Sequence, residues 1–187
     1  NVYALNGAGD TLEGYREYQH LGLFITGSDR GQNWHTPSRS TDFFMIKSYV
    51  DHLAQVYGLN LLRVECLPAP DDLFQEGIRY VVKGKVLADL GRVSRACLDV
   101  LDIRQEVFAA EINWDLFFNM IRNNRAQFAG LQRFPEVHRD LALVVGENIT
   151  YRQLYEIALK TEKRLLKSVS LFDVYTGKGI PEGKKQY

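Results

Sequence analysis

Residues 134–145 read FPEVHRDLALVV, and the fold of the C-terminal third turns on them. Leu141, Leu143 and Val145 recur at a spacing of two, which puts them on one face of an extended chain and predicts a strand over 139–145. Thr150 then marks a helix start, with Gln153 where a capping box requires its partner. Tyr151, Leu154, Tyr155, Ala158 and Leu159 form the apolar stripe of that helix. Residues 168–175 read as a second strand, and the Gly/Pro-rich turn 176–183 leads into a third. Strand–helix–strand–strand is the first half of a ferredoxin-like βαββ unit, and the sequence stops before a second helix and fourth strand.

Working upstream, Asn123, Asn124 and Gly130 mark a junction, so the expected division is 1–130 and 134–187. The first part reads as α+β. Residues 1–18 give no firm element. His20–Thr26 (HLGLFIT) reads as a buried strand closed by Gly27-Ser28-Asp29, and 31–40 as a loop. Ile46, Val50, Leu53 and Tyr57 recur at helical spacing, with capping residues at 40–42 and Gly58 as the left-handed stop. Residues 68–72 (PAPDD) break the chain. Residues 78–82 and 85–90 read as strands around Lys83-Gly84, 94–101 as a short helix, and 106–112 as a strand. Asn113 caps a helix running through Ile121.

Composition bounds the function. With 187 residues, 45% hydrophobic, the chain can bury one substantial core and a smaller second one. Basic and acidic side chains balance at 23 each, so no global field points to nucleic acid or membrane. No apolar run approaches the ~20 residues that span a bilayer, and the opening at Asn1 does not resemble a signal peptide. The missing initiator Met suggests a piece of a longer protein. Cys66 and Cys97 sit in apolar stretches without metal-ligand spacing and read as reduced, buried thiols of a cytoplasmic protein.

The motifs argue against catalysis in the chain itself. Residues 177–185 (GKGIPEGKK) fail the phosphate-loop spacing, and Lys185 stands where Ser or Thr would bind Mg²⁺. Residues 7–14 (GAGDTLEG) lack the preceding strand of a dinucleotide fingerprint. His20, His35, His52 and His138 show no metal-ligand spacing, so no metal site is expected. No Ser occupies a G-x-S-x-G elbow. Asn148-Ile149-Thr150 matches a glycosylation acceptor, but capping explains Thr150 better.

Two stretches carry a family resemblance. Residues 134–145 resemble the opening of the ferredoxin-fold anticodon-binding domain of bacterial phenylalanine–tRNA ligase β chains, where Phe-Pro and Arg-Asp-Leu-Ala introduce the first strand. Residues 171–185 (LFDVYTGKGIPEGKK) resemble that domain's second strand and hairpin. More loosely, 21–27 (LGLFITG), Trp34, Asp42-Phe43-Phe44 and 84–111 resemble the β chain's core-like domain, which has a class II synthetase fold without its working residues.

The resemblance implies an aminoacyl-tRNA synthetase subunit with no catalytic residue in this chain. It implies an α subunit that activates phenylalanine with ATP and Mg²⁺, an α2β2 holoenzyme, and tRNA as a further partner. An anticodon reader needs cations for phosphates and flat groups for unstacked bases. Arg139, Arg152, Lys178, Lys184 and Lys185 are the candidate cations, and Tyr175 and Tyr187 the candidate stacking groups. Two readings compete: a working synthetase site in the first part, and a stand-alone ferredoxin-like ligand- or RNA-binding module. A truncated unit is also expected to pack its open edge and helix face on the first part or on a second copy.

Overall fold

Antiparallel ladders organise the structure, a computed structural model that describes residues 1–5, 14–31, 33–70, 72–124 and 135–187. Most of 7–14, and Asp71, Arg125, Gly130, Arg133 and Phe134 of the expected breaks and motifs, lie outside the described residues. The chain divides into two compact units, Asn1–Gln127 and Phe128–Tyr187, each described by itself.

The first unit opens with strands β1 (Val2–Leu5) and β2 (Tyr15–Tyr18), paired antiparallel with Val2 opposite Tyr18. No firm element is expected here from the residues, because VYAL is apolar throughout and YREY shows no period-two alternation, and both strands are largely exposed. A five-stranded sheet follows, built from β3 (His20–Thr26), β4 (Glu65–Pro68), β5 (Phe74–Val82), β6 (Lys85–Val93) and β7 (Val107–Asn113) in the order β3-β7-β6-β5-β4. Contrary to the expected buried strand, β3 is an edge: Leu21, Leu23 and Ile25 pack on the core while Phe24 is 74% exposed. An apolar run reads as buried on both faces, whereas a strand at a sheet edge buries only one.

Among its described residues this unit has three α-helices: α1 (Phe43–Val56), α2 (Arg95–Val100) and α3 (Trp114–Ile121). Their starts are set by Asp42, Ser94 and Asn113, each accepting the N–H three residues on. At the end of α1, Gly58 adopts φ +75° and its N–H donates to the Gln55 carbonyl at 2.9 Å. Leu59 N–H reaches the Ala54 carbonyl at 2.8 Å, which completes a Schellman stop. Ile46, Val50 and Ala54 of α1 and Phe117 and Ile121 of α3 join Tyr80, Ala88, Leu90, Phe108, Ala110 and Ile112 in one buried core on a single face of the sheet.

Alternation sends His20, Phe24, Arg79, Asp89 and Glu111 to the opposite face. A second small cluster of Ala69, Phe74 and Ala109 lies there, beside a cross-strand pair of glycines, Gly77 and Gly91. A Cβ on Gly91 would come within 2.3 Å of the Glu76 carbonyl oxygen and 2.9 Å of Phe74. The two thiols are half-buried rather than buried, and the Cys97 Sγ lies 3.6 Å from the Asp72 carbonyl oxygen.

The second unit holds β8 (Val144–Gly146), α4 (Tyr151–Thr161) and β9 (Lys184–Gln186). The expected strand over 139–145 shrinks to β8, extended by one reciprocal pair in which Leu143 and Tyr187 exchange N–H···O bonds of 3.0 Å. Residues 139–142 carry strand-like alternation but find no ladder partner among the described residues. The expected strand over 168–175 is likewise reduced to one bridge, Tyr175 to Gln186. The capping box is present as predicted: Thr150 and Gln153 bond reciprocally. Third strand between first and second is the pairing a ferredoxin-like βαββ start requires, and β9 stands between β8 and Tyr175.

Candidate nucleic-acid interface

The short β9 distributes the candidate side chains by parity. Gln186 faces Val144 and bridges to Tyr175, and Lys184 faces Gly146, so Tyr175, Lys184, Gln186 and Val144 share one side of the sheet. Lys185 opposite Val145, and Tyr187 beyond it, belong to the other side. There the Lys185 ammonium sits 5.0 Å from the centre of the Tyr187 ring, and the Tyr187 hydroxyl donates to the Ile149 carbonyl at 3.1 Å. The candidates therefore split into a Tyr175/Lys184 pair and a Lys185/Tyr187 pair. Arg152 is carried by the first turn of α4, and Arg139 by the exposed segment before β8, both outside the sheet.

Tyr175 is held at three points. Its N–H and carbonyl both bond to Gln186, at 2.9 and 2.8 Å, and its hydroxyl donates to the Lys178 carbonyl at 3.1 Å. The ring folds over Gly177, where a Cβ would come within 2.4 Å of the phenol oxygen. A ring fixed at 44% exposure is a stacking surface that costs little ordering to use. Lys178 thus contributes through its backbone, and its ammonium projects from the turn. Gln186 is the residue the sequence reading missed; its spacing of two from Lys184 was the available signal.

Behind the sheet, the Tyr151 hydroxyl donates to the Val169 carbonyl at 2.9 Å and its ring meets Tyr155. Burial pushes the Tyr151 phenol above its ordinary pKa, with Tyr155 adding to the effect. Past α4, Glu162 accepts the N–H groups of Leu165 and Arg164 at 2.8 and 2.7 Å, and these bonds hold its carboxyl below the usual carboxylate range.

The outer face of the five-stranded sheet does not fit a magnesium–nucleotide site. Arg79 makes a two-pronged contact with Asp89, at 2.6 and 2.7 Å, which raises the Arg79 pKa further. On that face His20 also meets Glu111 at 2.6 Å, while Arg92, on the side of Leu90 and Phe108, is shared between Glu106 at 2.9 Å and Glu76 at 3.4 Å. Cations engaged in this way are not available to a triphosphate. Among the described residues, no three His, Cys, Asp or Glu side chains group as metal ligands, and no helix is long and apolar enough to cross a membrane.

Comparison with known proteins agrees with this division. Residues 132–187 match the ferredoxin-fold anticodon binding domain, and residues 1–114 match the phenylalanyl tRNA synthetase beta chain CLM domain. The phenylalanine–tRNA ligase beta subunit of Bacteroides thetaiotaomicron is 38% identical over 177 residues, covering 94% of this chain and 22% of the relative. The corresponding subunits of Bacteroides fragilis and Porphyromonas gingivalis are 36% and 33% identical over the same coverage. The chain spans about a fifth of the length of these curated relatives. With a family domain matched over more than half its residues, the chain belongs to the phenylalanine–tRNA ligase beta subunit family.

Proposed function

We propose that this chain supplies non-catalytic scaffolding and anticodon-region tRNA binding in phenylalanyl-tRNA formation. The bond-making groups, with ATP and Mg²⁺, belong to an α subunit in a cytoplasmic α2β2 enzyme. In this reading 1–130 form a class II core-like domain that meets partner subunits, and 134–187 the first part of the anticodon-binding domain. The observation that carries it is the Tyr175/Lys184 side of the β8–β9 sheet, within residues that match an anticodon-binding domain. A fixed aromatic beside a strand-borne ammonium offers one surface to a base and one charge to a phosphate. The other cations, Arg139, Arg152, Lys178 and Lys185, act as secondary phosphate contacts.

The test is aminoacylation by full-length β subunit with its α partner. Tyr175→Ala and Lys184→Glu should each raise KM for tRNA by roughly five- to tenfold, in keeping with one lost stack or one reversed charge, and leave kcat for phenylalanine activation unchanged. Wild-type KM in both variants would refute the assignment of this face. The non-catalytic reading has its own check: this chain alone should give no phenylalanine-dependent pyrophosphate exchange, and measurable exchange would overturn it.

A further inference from the structure

The loop between β3 and α1 presents a tryptophan that the first unit does not use. Trp34 is 95% exposed, whereas the chain's other tryptophan, Trp114, stacks on Phe117. The loop is closed at its base by Asp29 N–H to the Arg39 carbonyl and Thr41 N–H to the Gly27 carbonyl, both 2.9 Å. Asp29 accepts the Arg39 N–H at 3.0 Å and pairs with the Arg30 guanidinium at 3.2 Å. At the tip, the Asn33 side-chain oxygen accepts the N–H groups of His35 and Thr36, at 3.0 and 2.6 Å, and the His35 ring meets Trp34 edge-on at 5.5 Å. These bonds hold the described part of the tip in one conformation.

A shallow cavity beside Trp34 is lined by Asn33, Thr36, Pro37 and Ser38. Its composition is specific: one large flat ring, one proline and three small polar side chains. The Asn33 oxygen is consumed by backbone, which leaves its NH₂ as a donor; the Ser38 hydroxyl donates to the Arg30 carbonyl at 2.8 Å and the Thr36 hydroxyl meets His35 Nδ1 at 3.1 Å, so what they offer a ligand is their remaining acceptor capacity. Arg39 follows, and its guanidinium makes no ion pair among the described residues. A protein hot spot sits among contacts that exclude water, whereas Asn33, Thr36, Pro37 and Ser38 leave the Trp34 ring open to solvent. An aromatic plane, hydrogen-bonding groups and a nearby cation suit an unstacked base and its phosphate.

We propose that this loop is a second RNA-contact site, in which Trp34 stacks an unpaired nucleobase and Arg39 meets its phosphate. It lies in the unit that matches the CLM domain and is separate from the Tyr175/Lys184 face. The experiment titrates the 187-residue chain with a 12-nucleotide oligouridylate at low salt while following tryptophan emission, with uridine monophosphate in a second arm. Expected is saturable quenching by the oligomer and, by anisotropy of the same oligomer carrying a fluorescent label, an affinity about tenfold weaker in Trp34→Ala. Arg39→Ala should lower the slope of log K against log salt by about 0.7, one phosphate on a single strand. Lys184→Glu should leave the quenching intact, which separates this site from the anticodon-region face. Much weaker saturation by the mononucleotide supports an RNA strand as the ligand, and equal saturation overturns that assignment. Unchanged emission, or wild-type affinity in Trp34→Ala with circular dichroism confirming its fold, overturns the proposal.

Discussion

At the scale of single residues, close approach and charge carry the sharpest expectations. Gly77 and Gly91 face each other across β5 and β6, and their missing side chains let Phe74 lie against the backbone. Gly91→Ala would put a methyl 2.8 Å from Gly77 Cα, a contact with two backbones that neither strand can relieve alone. A loss of about 1–3 kcal/mol in unfolding free energy is expected by chemical denaturation. Asp29 gives a pH dependence. The Arg39 N–H, opposed by burial and aided by the Arg30 charge, holds its carboxyl below the ordinary aspartate range. Because the folded value lies below the unfolded one, the support this carboxylate gives the loop is complete above about pH 3.9 and is lost as pH falls through the folded value. The protection factor of the Arg39 amide, its exchange measured by NMR and divided into the intrinsic rate at each pH, should fall over that acid window and stay constant between pH 5 and 8.

Elements differ in how far their own residues determine them. Helices close their hydrogen bonds internally, so a cap and a periodic stripe suffice to read them; Thr150 and Gln153 fix the start of α4, and Gly58 the end of α1, in sequence and structure alike. Thr150→Ala should cost about 1 kcal/mol of α4 stability, seen as lower helical ellipticity and a lower Tm of the second unit. Ile46→Ala, fully buried in the first turn of α1, should cost about 2–5 kcal/mol in the first. Strands depend on a partner that local sequence does not name. The alternation over 139–145 is genuine, yet only Val144–Gly146 meets β9, and 168–175 contributes a single bridge. For β1 and β2 the reverse holds: a partner is present although neither strand alternates apolar with polar residues.

For the whole molecule, the family was legible because residues 134–145 and 171–185 hold chemically distinctive strings in the right order. The site was less legible: seven side chains were candidates, and the strand register sorts them into two faces and three outlying cations. The sorting has a measurable correlate. In the full-length enzyme, Lys184→Ala should reduce the salt slope of tRNA binding by roughly one phosphate equivalent, and Tyr175→Ala should weaken binding without changing that slope. The ladder behind this arrangement is only three residues long. So brief a zipper has little to keep it in frame, and a slide of one tooth would carry Lys185 to the side Lys184 now occupies. The phenol of Tyr187, hooked on the Ile149 carbonyl, and the reciprocal backbone pairs of Tyr187 with Leu143 and of Gln186 with Tyr175 oppose the slide together. Which lysine shares a side with Tyr175 is thus set by bonds at the very end of the strand, and loosening them would exchange one face of the sheet for the other.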